Sequence, residues 1–333
     1  MQSETEIQKL IALLKDKNWV TRRSAVQALG KLGAKEAIPY LIDLLFNDPS
    51  WVVRSNAAEA LGQLGAKEAI KPLIALLKDP DNYVRSSAAE ALGQLGAKES
   101  IPYLIDLLKD PDEDVRYATI VALGDLGAKE AIKPLIDLLK DPNNYVRSSA
   151  VQALSDLGDK EAIPQLIALL KYPNNYVRSK AAEALGQLGV KEAIPYLIAL
   201  LNDSDDDVRH ATIVALGNLG AKEAIPYLID LMFNDPDDDV RCATIVALVN
   251  LGAKEAIPYL IDLMLKDPSW VIRSKAAEAL GQLGAKEAIT YLIAALIKDR
   301  NLVVQHSAMQ ALDKLEAKEA STYLIDLLND PDD

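Results

Sequence analysis

Residues 98–128, KESIPYLIDLLKDPDEDVRYATIVALGDLGA, contain two amphipathic segments separated by an Asp-Pro turn. In the first segment, Ile101, Leu104, Ile105 and Leu108 occupy positions i, i+3, i+4 and i+7, which share one face of a helix. The proline next to the first of these isoleucines lies in the first helical turn, where no amide donor is needed. This segment therefore predicts a short amphipathic helix.

The second segment carries signals for both ends of another helix. The acidic run at residues 112–114 suits the positive end of a helix dipole. Gly127 stands where a left-handed C-terminal cap is expected. No alternating pattern typical of strands occurs, so the stretch predicts a pair of helices.

This two-helix pattern recurs every 31 or 32 residues along the chain, a period typical of stacked supersecondary units. We predict an all-α fold, a right-handed α-solenoid of about ten and a half repeats forming one domain over residues 1–333. The 32-residue repeats gain their extra residue at the end of the first helix. Repeats 1 to 10 and a final half-repeat cover residues 4–34, 35–66, 67–97, 98–128, 129–159, 160–190, 191–221, 222–253, 254–285, 286–317 and 318–333.

Charge and composition limit the partners and the cellular location. The net charge of −13 and the lack of a basic run exclude a nucleic-acid partner and disfavour an anionic membrane. The first residues, MQSETEIQKL, lack the basic and apolar parts of a secretory signal, and no apolar run approaches the roughly 20 residues of a membrane span. We therefore expect a cytoplasmic protein, and the single cysteine excludes an internal disulfide.

Most repeats contain the motif D-x5-R within the longer pattern LLKDPxxxVRxxAAxALGxLG. One example runs from Asp79 to Arg85. It resembles the HEAT-like repeats of the phycobilisome-lyase type over almost the whole chain. The resemblance implies that the second helices line a concave face and that Asp and Arg form a ladder between stacked repeats. The pairs predicted for this ladder are Asp16/Arg22, Asp48/Arg54, Asp79/Arg85, Asp110/Arg116, Asp141/Arg147, Asp203/Arg209, Asp235/Arg241 and Asp267/Arg273.

Two repeats depart from the ladder motif. Tyr172 replaces the aspartate expected to face Arg178, and Gln305 replaces the arginine expected to face Asp299. We expect the ladder to break at both places. The arginines are interpreted as structural, because a residue present in nearly every repeat is what stacking requires.

The variable positions of the second helix predict the exposed surface. They lie one and two residues after the ladder arginine, before the Ala-Leu pair, and before the last leucine, which places them on one helical stripe. Repeats 4, 7 and 8 carry Tyr, His or Cys followed by ATIVAL, where repeats 2, 3, 6 and 9 carry the polar AAEAL. This surface predicts a protein-binding site formed by Tyr117, Val121, Asp125, His210, Val214, Asn218, Cys242, Val246 and Asn250.

His210 and Cys242 occupy the same position of adjacent repeats, so they are predicted to be neighbours. A metal site would need three or four ligands, and only these two are found. A reactive thiol activated by the histidine and a tolerant surface position are the alternatives. The acidic runs at 205–207 and 237–239 lack the glycine and glutamate of a calcium loop, so we interpret them as helix caps.

Enzymatic chemistry has little support in the sequence. The chain has two histidines and no His-Glu pair, which excludes the di-iron chemistry of deoxyhypusine hydroxylases. No glycine-rich phosphate loop or nucleophile arrangement occurs, and no cofactor is predicted. We predict a monomeric, non-catalytic scaffold that binds another protein in its concave groove.

The alternative function, also implied by the resemblance, is a bilin lyase or a related chaperone acting on phycobiliproteins. A bilin carries two propionates, which are usually bound by cations. The cations at the variable positions are dispersed along the chain: Arg23, Lys31, Lys180, Lys275 and Lys314.

Overall fold

The structure, a computed structural model, describes residues 2–158 and 160–317. Every regular element in those ranges is a helix, which confirms the all-α fold class. The chain divides into two compact parts, Met1–Gln165 and Leu166–Asp333, called here the N-terminal half and the C-terminal half. The predicted half-repeat at 318–333 lies outside the described residues, and the single domain over the whole chain stays a prediction.

In the N-terminal half, first and second helices of the repeats alternate. Their bounds are α1 Gln2–Leu13, α2 Trp19–Lys31, α3 Ile38–Asn47, α4 Trp51–Gln63, α5 Ile70–Leu76, α6 Asn82–Gln94, α7 Ile101–Leu107, α8 Glu113–Asp125, α9 Ile132–Leu138 and α10 Asn144–Leu157. The Lys-Glu-Ala segment that opens most repeats forms a single turn of 3₁₀ helix, for example at Lys35–Ala37. This turn leads the chain directly into the first helix.

The C-terminal half continues the alternation, and α11 spans the boundary at residue 165. The bounds are α11 Ile163–Leu169, α12 Asn175–Gln187, α13 Ile194–Leu200, α14 Asp206–Asn218, α15 Ile225–Asn234, α16 Asp238–Asn250, α17 Ile257–Lys266, α18 Trp270–Gln282, α19 Ile289–Lys298 and α20 Leu302–Lys314. None of the helices described is long and apolar enough to cross a bilayer.

The length of the first helix follows the length of the repeat, as predicted. The 32-residue repeats have first helices of 10 residues, namely α3, α15, α17 and α19. In the 31-residue repeats, the first helices α5, α7, α9, α11 and α13 have 7 residues. The extra residue therefore extends the regular α-helical hydrogen bonding before the turn.

Both ends of the second helices are capped as the sequence predicts. The Asp112 side chain accepts hydrogen bonds from the amides of Asp114 and Val115, at 3.0 and 3.2 Å. Gly127 is left-handed, with φ of 61°, and Glu316 adopts the same conformation, with φ of 52°. Glycine tolerates this conformation because it has no Cβ, whereas glutamate is strained by roughly 1 kcal/mol.

The Asp-Arg ladder runs between consecutive repeats within each half. Arg116 is buried and donates from Nε and Nη2 to both carboxylate oxygens of Asp141, at 2.8 and 3.0 Å. Its Nη1 donates to the backbone carbonyl of Asp110, in its own repeat, at 2.8 Å. Asp141 also accepts from the Asn143 amide, which fixes the turn before α10. The equivalent side-chain pairs are Arg22–Asp48, Arg54–Asp79, Arg85–Asp110, Arg178–Asp203, Arg209–Asp235, Arg241–Asp267 and Arg273–Asp299.

The predicted partners within the ladder were therefore wrong by one repeat. Arginines such as Arg85 and Arg209 pair with the aspartate that follows them by 25 or 26 residues and take only a carbonyl from the aspartate six residues before them. Arg178 has a carboxylate partner in Asp203, and Asp299 has an arginine partner in Arg273, so the ladder does not break at those two residues. Tyr172 instead stands 25 residues after Arg147, where the other ladder arginines have an aspartate. In a periodic sequence both aspartates recur at fixed distances from every arginine, so spacing alone does not select the pair.

Close packing between several second helices depends on a glycine near the end of the helix. A Cβ built on Gly93 would lie 3.0 Å from the Cα of Ala122, and one built on Gly186 would lie 2.7 Å from the Cα of Ala215. The helix pairs α6/α8 and α12/α14 accordingly make extensive contact. The absent side chain thus sets how near the next repeat can lie.

Helices α14, α16 and α18 pack less closely than α12 and α14 do. Thr212 and Ile213 are buried in α14 at the positions of two alanines in α12. In α16, Val249 stands where α12 and α14 carry Gly186 and Gly217. These larger side chains occur in the two helices whose packing toward the next repeat is wider, and a helix cannot approach more closely than its interface side chains allow.

Candidate functional site

The predicted binding residues lie on second helices in both halves. Tyr117, Val121 and Asp125 are exposed on α8 in the N-terminal half. In the C-terminal half, α14 and α16 carry the other six, all of which are exposed except the half-buried Cys242: His210, Val214, Asn218, Cys242, Val246 and Asn250.

The variable stripe is not exposed along its whole length, contrary to prediction. Ser148 and Ser179 are buried at the position next to the ladder arginine, and Ala118 and Ala211 are buried one residue later. The Ser148 hydroxyl donates to the carbonyl of Tyr145 at 3.0 Å, so its polar group is satisfied inside the helix. Small side chains at these positions fit beneath the surface, whereas the tyrosine and histidine of other repeats extend outward.

The valines before the Ala-Leu pair are exposed on this surface. The relative exposure is 39% for Val121, 42% for Val214 and 44% for Val246. In α4 and α6 the same position carries Glu59 and Glu90, which are also exposed. The valines are therefore apolar side chains at a position that the fold leaves partly open to solvent.

A surface cleft of about 430 Å³ lies between α14 and α16, and we call it the α14/α16 cleft. It brings His210 and Cys242 to one site, as their equivalent positions predicted. The wider spacing of these helices provides the room for the cleft. Its lining residues are Asp206, Asp207, His210, Asp237, Asp239, Val240, Cys242, Ala243 and Val246.

Carboxylates surround one end of the α14/α16 cleft. Asp237 caps α16 by accepting from the amides of Asp239 and Val240, at 2.8 and 3.1 Å. Asp205 caps α14 by accepting from the Val208 amide at 3.2 Å. Within the described residues, no group of three or more His, Cys, Asp or Glu side chains is arranged to hold a metal ion. The capping interpretation of both acidic runs is thus confirmed.

Cys242 does not have the environment of a reactive thiol. Burial raises its pKa, and the negative charges of Asp238 and Asp239 raise it further, against the opposing effect of Lys275 and Arg241. A thiol with a raised pKa has less thiolate at neutral pH and is a poorer nucleophile. These surroundings do not favour the alternative that a neighbouring histidine activates this cysteine.

Two exposed features of the N-terminal half were not among the predicted site residues. The rings of Trp51 and Tyr83 stack with centroids 4.9 Å apart at the start of α4 and α6. A cleft of about 540 Å³ lies beside α5 and α7 and includes Lys71, Lys78 and Tyr103 in its lining.

The sequence profile of HEAT repeats matches residues 7–93, 70–155, 132–216, 194–281 and 260–333. The chain belongs to the HEAT repeat family. This match covers nearly the whole sequence and confirms the repeat type predicted from the motif. No curated protein matches the sequence of this HEAT repeat chain.

Solved structures of helical repeat proteins are similar to this HEAT repeat chain. YibA of Escherichia coli is 26% identical over 74% of this chain and 92% of YibA, with a TM-score of 0.58. The complex of CpcE and CpcF of phycocyanin lyase from Nostoc includes a chain that is 27% identical over 74% of this chain and 94% of that chain, with a TM-score of 0.44. Kap95p, solved with RanGDP, is 16% identical with a TM-score of 0.70 over 97% of this chain and 53% of Kap95p.

Proposed function

We propose that the protein is a non-catalytic scaffold that binds another protein through its second helices, with α14 and α16 at the centre of the site. The observation that carries this proposal is the exposure of Val214 and Val246 beside the α14/α16 cleft. Apolar side chains flanked by polar ones such as Asn218 and Asn250 are typical of the centre and edge of an interface. The fold itself does not require valine there, because other repeats carry glutamate.

The packing within each half supports the second helices as the concave side. Adjacent second helices make extensive contact, whereas adjacent first helices such as α3 and α5 make little. In a stack of paired helices, the row with the closer spacing lies on the inside of the curve. A concave row of exposed variable side chains is the surface on which such repeats bind extended partners.

Similarity to known structures adds a consistent example. Kap95p, which shares the fold, is bound to RanGDP in its structure. Fold alone does not assign a function, so the proposal depends on the valines and the cleft of this chain. The cytoplasmic location and the monomeric state stay predictions.

The alternative bilin-lyase function gains no support from the described surface. Lys180 pairs with Glu183 at 2.6 Å and Lys275 pairs with Glu278 at 2.8 Å, so these cations are already engaged by carboxylates. A binding site for a dianionic tetrapyrrole would need cations that converge on its propionates. A titration with a free bilin, followed by absorption, tests this alternative directly.

The decisive experiment changes Val214 and Val246 to glutamate together. The tagged wild-type protein first identifies a partner from its source cell, and the affinity of the purified pair is then measured. The variant should fold, because glutamate occupies this position in α4 and α6. Its affinity should fall at least tenfold, or about 1.4 kcal/mol, because the apolar centre of the interface becomes charged.

The matched control places the same two added charges elsewhere at this helix position. Gln27→Glu with Gln310→Glu should leave the affinity unchanged, since these positions lie on α2 and α20. Undiminished binding by the double valine variant would place the site elsewhere. Stoichiometric iron or zinc retained after dialysis against a chelator, together with an activity that needs it, would contradict the non-catalytic function.

A further inference from the structure

The α14/α16 cleft combines an apolar wall with an acidic rim. Val240, Ala243 and Val246 contribute from α16, while Asp206 and Asp207 contribute from the first turn of α14. Its volume of about 430 Å³ falls within the range of about 300–1,000 Å³ typical of ligand-binding pockets. The cleft therefore has room for side chains of a bound segment.

The rim of this cleft is negatively charged, because the nearby arginines form ion pairs with other carboxylates and do not neutralise the rim. Arg209 donates to both oxygens of Asp235, and Arg241 is bonded to Asp267 and Asp238. Both arginines have side chains that are 9% exposed, so they offer little to a ligand in solvent.

The rim carboxylates are available to a ligand. Asp206, Asp207 and Asp239 are exposed, and none of the three side chains forms an ion pair with another described residue. Capping of the two helices is performed by Asp205 and Asp237, so these three are not needed for that role. Their presence in the first helical turn is favourable for the helix dipole, which explains why the fold tolerates them.

We propose that the segment bound at the α14/α16 cleft is a basic, aliphatic peptide segment of the partner protein, which places Lys or Arg side chains against Asp206, Asp207 and Asp239. Its aliphatic side chains cover Val214 and Val246. This inference rests on the proposed function and specifies the chemistry of the partner. Charge complementarity selects the cationic side chains, and the exposed valines select the aliphatic ones.

The experiment uses the full chain and a short fluorescein-labelled peptide of alternating arginine and leucine as the probe. Binding is measured by fluorescence anisotropy against two further peptides, with glutamate in place of arginine or serine in place of leucine. Only the arginine–leucine peptide should bind with useful affinity. Its affinity should fall as the ionic strength rises to 0.15 M and above, where the Debye length is about 8 Å or less.

The first variant removes the rim charges through Asp206→Asn, Asp207→Asn and Asp239→Asn together. Affinity for the arginine–leucine peptide should fall about tenfold, since three exposed ion pairs are lost. The control removes three exposed carboxylates of the N-terminal half through Asp106→Asn, Glu113→Gln and Asp114→Asn, and it should retain wild-type affinity. This control separates local recognition from attraction to the net charge of −13.

The outcomes also separate this inference from the proposed function. The basic, aliphatic occupant would be overturned if both triple variants weakened binding equally, if the arginine–leucine peptide did not bind, or if the serine peptide bound equally well. If the natural partner is lost with Val214→Glu and Val246→Glu but is unaffected by salt and by the rim variant, the scaffold function stands and the cationic partner segment is wrong. If the natural partner survives the valine variant, the proposed function at this site fails first.

Discussion

Alanine substitution at two equivalent glycines should have opposite effects on stability. Gly186 in α12 and Gly217 in α14 occupy the same position of consecutive second helices. A Cβ on Gly186 would lie 2.7 Å from the Cα and 2.8 Å from the Cβ of Ala215. A Cβ on Gly217 would lie 3.7 Å from the Cβ of Ala247, which is ordinary van der Waals contact.

The magnitude follows from two opposing terms. Alanine in a helix interior is favoured over glycine by about 0.5–1 kcal/mol, and this gain applies to both variants. Forcing a methyl group into a packed interface costs about 1–3 kcal/mol, and this cost applies only to Gly186→Ala because backbone of the next helix must move. Gly217→Ala should therefore raise the free energy of unfolding by about 0.5–1 kcal/mol. The free energy of unfolding of Gly186→Ala should lie about 1–3 kcal/mol below that of Gly217→Ala.

The assay combines urea unfolding with hydrogen exchange, because repeat arrays unfold in parts and a single midpoint is incomplete. Amides of α12 and α14 should exchange faster in Gly186→Ala than in wild type, and those of α14 and α16 should not exchange faster in Gly217→Ala. Gly281→Ala serves as a replicate, since its Cβ would lie 2.7 Å from the Cα of Ala311. Effects of the same sign and size at Gly186 and Gly217 would refute the role of glycine in setting helix spacing.

Three further predictions concern single residues. The hydrogen bond from Arg273 lowers the pKa of Asp299, so the ionised carboxylate stabilises the fold at neutral pH, and this contribution is lost as the pH falls below the ordinary aspartate pKa of about 4. Asp299→Asn should therefore reduce the loss of stability in acid, which is measured as urea midpoints from neutral to acidic pH. A variant with the same pH dependence as the wild type would contradict this prediction. Glu316→Gly should stabilise the fold by about 1 kcal/mol, because glycine adopts the left-handed conformation without strain. The gain should appear as slower amide hydrogen exchange in α20, and a loss of stability would contradict the strain at Glu316. Cys242 should react with a disulfide reagent more slowly than a free thiol at neutral pH, because its pKa is raised, and a rate above that of free cysteine would contradict this.

Local features of the repeat could be predicted because they depend on nearby residues. Gly127 and Glu316 adopt the left-handed conformation expected from their position after the second helix. The apolar residue before a ladder arginine and the leucine of the Ala-Leu pair are buried, for example Val53 and Leu61. Helical periodicity and capping act over a few residues, so they are visible in a single sequence.

Contacts between repeats were predicted less well. The ladder arginine was assigned to the aspartate of its own repeat, whereas Arg116 pairs with Asp141 of the next one. The first glycine of ALGxLG, such as Gly186, had no predicted role, although it controls the approach of the next helix. Both depend on which residues of neighbouring repeats face each other, and periodic spacing leaves that choice open.

The sequence alone determined that this chain folds into stacked helix pairs, because the 31–32-residue period, the helical spacing of apolar residues and the caps all act within one repeat. Only the tertiary structure decided where those repeats separate enough to form a cleft. Thr212, Ile213 and Val249 lie in the helices with the wider packing, α14 and α16, and burial raises the pKa of the Cys242 thiol. Spacing and burial arise from side chains of adjacent repeats acting together, so no single repeat of the sequence contains them.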